Sequence, residues 1–143
     1  MSLQAIRYKI EGPISQALTT QSVSFYGENQ TPTDLDADKA WARASVSFGS
    51  MTTSGLNKNF ERIRGSIVIE LFVPKNQGPA EAQTKITPVM MALNAINDDN
   101  VDGSSATGAT VWVRDVRGPD FMEMDEGPFF MARVNAGFTA SYT

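Results

Sequence analysis

Two periods alternate along this chain. Leu3, Ile6, Ile10, Ile14 and Leu18 recur at three- and four-residue steps, the stripe of an amphipathic helix. Gly12-Pro13 falls inside that run. Proline removes a backbone donor and crowds the preceding turn, so the pattern predicts a broken or two-part helix over roughly 3–20. Val23 to Tyr26 reads as a short strand, followed by a polar loop, Gly27 to Asp38, marked by Thr31-Pro32-Thr33. The period then drops to two. Ala42, Ala44, Val46 and Phe48 alternate with Arg43, Ser45 and Ser47, with Trp41 at the start on the polar side. Residues 49–61 read as a wide turn or mobile loop.

Ile63, Gly65, Ile67, Ile69, Leu71 and Val73 form the strongest strand pattern, stopped by Pro74. Val68 and Phe72 make its second face partly apolar, as expected of a central strand or a subunit contact. After Gly78-Pro79 the helical period returns in Ala82, Ile86, Val89, Leu93 and Ile96, with Met90 beside them. Pro88 predicts a kink there. Asn97 to Gly108 is loop by composition, and Val111 to Val116 is a strand ended by Gly118-Pro119. The segment Asp120 to Pro128 reads as an acidic loop. Phe130, Ala132, Val134, Ala136, Phe138 and Ala140 form a last alternating strand. Residues 1–143 therefore read as a single α+β domain in two layers, an antiparallel-rich sheet of about four strands with two main helices.

Composition narrows the chemistry. The 143 residues contain neither histidine nor cysteine. That removes the near-neutral proton shuttle and the thiolate nucleophile or soft-metal ligand. The net charge of -4 is uneven: residues 1–75 hold eight Lys/Arg against seven Asp/Glu, and residues 76–143 hold four against nine. An acidic surface repels phosphate backbones at long range and gives no general footprint for DNA binding. The first residues lack the basic and apolar regions of a secretion signal, and no apolar stretch is long enough to span a membrane.

The acids form neither a ligand set nor a catalytic pair. Asp34, Asp36 and Asp38 alternate like the opening of a calcium loop, but Lys39 stands where that loop needs glycine and Ser45 where it needs a bidentate acid. Asp98, Asp99 and Asp102 lie in a polar stretch with no apolar wall to split their pKa values. No catalytic, cofactor-binding or metal-binding residue is assigned. Arg62 and Arg64 beside Lys58, and Arg114 with Arg117, are candidate anion contacts, each set short and without interleaved exposed aromatics. Phe121, Met122 and Met124 place soft and aromatic side chains among acids. They suit either tucking onto the chain's own core or a contact with a neighbour.

The order of these pieces resembles the tail terminator, or tail completion, proteins of long-tailed bacteriophages. The landmarks are the helix ending near Leu18, the loop carrying Pro32, and the strand Trp41-Ala-Arg-Ala-Ser-Val-Ser-Phe48. Arg64-Gly-Ser-Ile-Val-Ile-Glu-Leu-Phe-Val-Pro74, Gly78 before a long helix, and late strands near the C-terminus complete the pattern. The resemblance implies a non-enzymatic virion protein that needs no cofactor and forms a ring, typically a hexamer. Such a ring caps the tail tube, ends its polymerisation and offers the head-joining surface. Its partners would be copies of itself, the tail tube protein and a head–tail connector or neck protein. DNA would pass through the bore without sequence-specific binding, and no membrane is involved. By the same analogy the candidate subunit or tube contacts are Trp41, Arg43, Arg62, Arg64, Glu70, Phe72, Phe121, Met122 and Met124. An acidic lining would keep passing DNA from sticking. The alternative is a neck connector or tail-tube component of a phage or contractile injection system.

Overall fold

Ile6, Ile10, Ile14 and Leu18 are all fully buried, as are Ala82 and Ile86, Val89, Leu93 and Ile96 of the second helical stripe. The computed structural model describes residues 3–27, 39–53, 61–75, 80–101, 109–123 and 129–142. Helix α1 (Leu3–Thr19) is followed by strands β1 (Ser24–Tyr26), β2 (Trp41–Thr53) and β3 (Glu61–Pro74). Helix α2 (Ala80–Val101) then precedes β4 (Ala109–Glu123) and β5 (Phe129–Tyr142). The strands form one sheet in the order β1-β2-β3-β5-β4. β1 runs parallel to β2, and the other pairings are antiparallel. This is a single two-layer α+β domain. The sheet has five strands rather than about four, and the three-residue β1 makes it mixed.

Both prolines were expected to interrupt their helices, and neither ends one. α1 runs through Pro13 and α2 through Pro88. Each proline falls off the buried stripe, and fully buried residues on either side anchor both halves of the helix to the sheet. Tertiary packing of the stripe outweighs the local penalty. α2 also continues to Val101, so Asp98 and Asp99 belong to its last turns and not to a loop.

Three further expectations change. β2 extends to Thr53 and β3 begins at Glu61, so the turn expected over 49–61 shrinks from both sides. β4 runs through Gly118-Pro119 to Glu123, so Phe121 and Met122 lie in a strand and not in an acidic loop. Trp41 is buried rather than set on a wet face. The Thr31–Thr33 loop, the Asp34–Asp38 run, Lys58, Gly78-Pro79, Asp102 and Met124 to Glu126 fall outside the described residues.

The sheet turns one face to the helices. On it lie Ala42, Ala44 and Val46 of β2, Ile63, Ile67, Ile69 and Leu71 of β3, and Ala132, Val134, Ala136 and Phe138 of β5, all buried. Gly65 faces Phe138 across the ladder and Phe48 on the other side. A Cβ at Gly65 would stand 2.6 Å from the Phe138 ring and would also collide with the Ser47 carbonyl oxygen. The glycine therefore makes room for an edge-to-face ring pair, Phe48 and Phe138, with centroids 5.9 Å apart.

Asn97 joins the layers in another way. Its Nδ2 donates to the Val113 carbonyl at 2.8 Å, and its Oδ1 accepts from the Val113 N–H at 2.7 Å. That side chain occupies backbone groups of the edge strand β4 that would otherwise be open to pairing.

Gly65→Ala should lose on the order of 2–3 kcal/mol of unfolding free energy, because the methyl meets backbone on one side and a fully buried ring on the other. Urea denaturation followed by circular dichroism measures it. A loss under about 0.5 kcal/mol would mean the ring and strand give way freely.

Candidate functional site

The side chains opposite the helix layer fall into cross-strand rows set by the register. Trp41, Phe72, Met131 and Met122 share the first row, and Arg43, Glu70, Arg133 and Asp120 the second. Ser45, Val68, Asn135 and Arg117 follow, then Ser47, Ser66, Gly137 and Arg114. The last two rows are Arg64, Thr139 and Trp112, and Arg62, Ser141 and Thr110, with the β2 backbone at Ser50 and Thr52 in register beside them. Among the described residues no helix packs on this face. It is the candidate working surface.

The first row closes in on itself. Trp41 stacks on Phe72 with centroids 4.2 Å apart and rings 13° from parallel, and Phe129 meets both edge-on. Tyr26 adds a fourth ring against Trp41 at 6.0 Å. Phe72 is 1% exposed and Trp41 8%. These two expected contact residues are thus packed within the subunit, as a second core at one end of the sheet. The Trp41 Nε1 is buried without a hydrogen-bond partner.

The second row is electrostatic. Arg43 Nε donates to Glu70 Oε1 at 3.0 Å, and Arg133 Nη2 donates to Glu70 Oε2 at 3.1 Å. The Arg43 guanidinium also lies over the Phe72 ring, 5.3 Å from its centroid, tying this row to the aromatic one. Burial alone would raise the Glu70 pKa. The two arginine hydrogen bonds and the charges behind them outweigh it and hold the carboxyl below its ordinary value. The expected pair Arg43 and Glu70 are partners, and Arg133, outside the expected set, is the third member.

Beyond that row the face becomes basic. Arg62, Arg64, Arg114 and Arg117 are exposed, and Trp112 is 46% exposed between them. Arg117 arrives there through an irregularity. Strict alternation from Val111 and Val113 would turn it to the core, but the pairing slips between Arg114 and Arg117, where Asp115 adopts a φ of 53°. A second slip before Asp120 surrounds Gly118, whose φ is 110° and whose Cβ would meet the Arg133 carbonyl oxygen at 2.7 Å.

Of the remaining expected contacts, Met122 is 39% exposed on this same face. Phe121 points the other way, half-buried and stacked on Phe130 with centroids 6.0 Å apart. Apart from the sheet face, a shallow open groove of about 500 Å³ runs along α1 between Tyr8, Gly12, Gln16 and Phe25. It gathers no convergent set of charged groups. Among the described residues, no group of three or more acids is placed to hold a metal ion, and no helix is long and apolar enough to cross a membrane.

No protein-family model and no curated protein matches the chain. Among solved structures, one superposes over 100% of this chain and 98% of its own length, with a TM-score of 0.69 and 19% sequence identity. That likeness establishes a shared fold.

Two outcomes check this geometry. Glu70→Gln removes the charge that both arginines address. Because the folded-state pKa is depressed, the stabilisation is full above the unfolded carboxylate range and fades as pH falls through the folded value. The variant should therefore lose about 1 kcal/mol at pH 7, a modest figure because both arginines are part-exposed, and converge with the wild type in strong acid. A loss unchanged by acidification would contradict the ion triad. For the aromatic end, Trp41→Ala should cost about 3–4 kcal/mol, whereas Trp41→Phe should cost about 1, since it keeps a ring and removes an orphaned N–H. Thermal melts that rank the two variants equally would show that stacking is not what holds this end.

Proposed function

We propose that the protein is a ring-forming structural subunit of a phage virion, placed where the tail meets the head. On this reading a ring of six caps the tail tube, ends its growth and presents the head-joining surface. The observation that carries it is the one-sided sheet. Both helices cover a single face, and the opposite face spreads ordered rows of charged and small polar side chains over the full width of four strands. Binding chemistry is laid out as a surface and not gathered into a pocket, which suits assembly better than turnover of a small substrate. The order of landmarks shared with tail terminators supports the same reading.

A closed ring repeats one heterologous contact. The exposed candidates for such a contact are Arg43, Arg62, Arg64 and Met122 on the sheet face, with Tyr8 and Met91 exposed on the helix layer. The role is non-enzymatic, with the virion as its place. A neck connector or tail-tube component would use the same surfaces, and what separates the two is whether tube growth stops.

Native mass spectrometry over a range of concentrations should show a discrete hexamer, and tails assembled without the protein should be abnormally long and headless in negative stain. A strict monomer at all concentrations, together with tails of normal length in its absence, would overturn the assignment.

A further inference from the structure

Two short arginine sets that are far apart in sequence share one surface. β5 lies between β3 and β4, so Arg62 and Arg64 stand two strand spacings from Arg114, about 10 Å across the sheet. From Arg117 to Arg62 the rows extend about 20 Å along the strands. Six of the seven arginines in the chain, all but Arg7, occupy this face.

Their surroundings divide them. Arg43 and Arg133 are engaged by Glu70, and Asp120 opposes Arg133. In the rows beyond, no described acid shares the register with Arg117, Arg114 or Arg64. Asp115, in the bulge between Arg114 and Arg117, is the nearby carboxylate. Arg64, Arg114 and Arg117 have no ion-pair partner among the described residues. Among the described residues, six arginines on this face stand against three acids, Glu70, Asp120 and Asp115.

We propose that this face binds the phosphate backbone of nucleic acid without regard to sequence, through Arg64, Arg114 and Arg117, with Trp112 lying against the sugar-phosphate or an exposed base. The inference deepens the ring reading by naming the surface that meets DNA. It also reverses the expectation of an acidic lining for whatever part of the bore this face forms. Two features favour nucleic acid over an acidic protein. The guanidiniums form an extended array instead of a single fork, and an exposed indole lies within it, paired across the ladder with Thr139.

The test is fluorescence anisotropy with a labelled mixed-sequence duplex of 20 base pairs, using the full chain across 50–200 mM salt. Three phosphate contacts predict a slope of log K against log salt of about -2.5 to -3. The double variant Arg64→Gln with Arg114→Gln should weaken binding by on the order of tenfold to a hundredfold and flatten the slope by about 2. Arg64→Lys with Arg114→Lys, which keeps the charge, should retain most of it. Trp112 emission should change on DNA addition and Trp112→Phe should abolish that change, since Trp41 is buried. Absence of binding at 50 mM salt, or a glutamine variant that binds like the wild type, would overturn the proposal. So would a glutamine variant that alters native mass while DNA binding persists, which would make this a contact between copies. A wild type that binds DNA but forms no ring would remove the ring reading alone.

Discussion

A sheet covered on one side is the constraint on which everything else in this domain depends. Strand side chains alternate, so once α1 and α2 bury Ile63, Ile67, Ile69, Val134 and Ala136, the residues between them are committed to the opposite face. Burial of the apolar stripe sets the register, and the register sets which charges become neighbours. Arg43, Glu70 and Arg133 come from three different strands and meet because their apolar neighbours Ala42, Leu71 and Ala132 already share a row. The polar face is the other half of the core's pattern.

That face is graded from end to end. At one end rings stack into a small second core, where Trp41, Phe72 and Phe129 shelter one another. The ion triad sits beside it, and the Arg43 guanidinium over Phe72 belongs to both. Farther along, Ser45, Ser47 and Ser66 make the face small and hydroxylated, and Arg64, Arg114 and Arg117 have no ion-pair partner among the described residues.

Most of the fold could be read in the residues, because period-two and period-3.6 stripes are long and clean in β2, β3, β5 and both helices. Failures came where a long-range effect overruled a local one. Pro13 and Pro88 look like breaks locally, and only the packing of their buried neighbours shows why they are tolerated. The extension of β4 through Gly118-Pro119 was hidden because its two slips destroy the alternation on which strand reading relies. The arginine field was missed for a related reason. Arg62 and Arg64 lie some fifty residues from Arg114 and Arg117, and nothing local says that β5 will insert between them. The break in alternation after Val113 was the available signal, since Val116 returns to the core one position late.

A cysteine-free chain permits a direct test of the one-sided sheet. Single substitutions R64C, S66C and T139C place thiols on the open face, and I67C, A140C and V111C place them under the helices. Rates of reaction with a water-soluble maleimide, measured on the folded protein, should be fast for the first three and slower by orders of magnitude for the second. Comparable rates for both sets, or protection of the first set in the free subunit, would contradict the account.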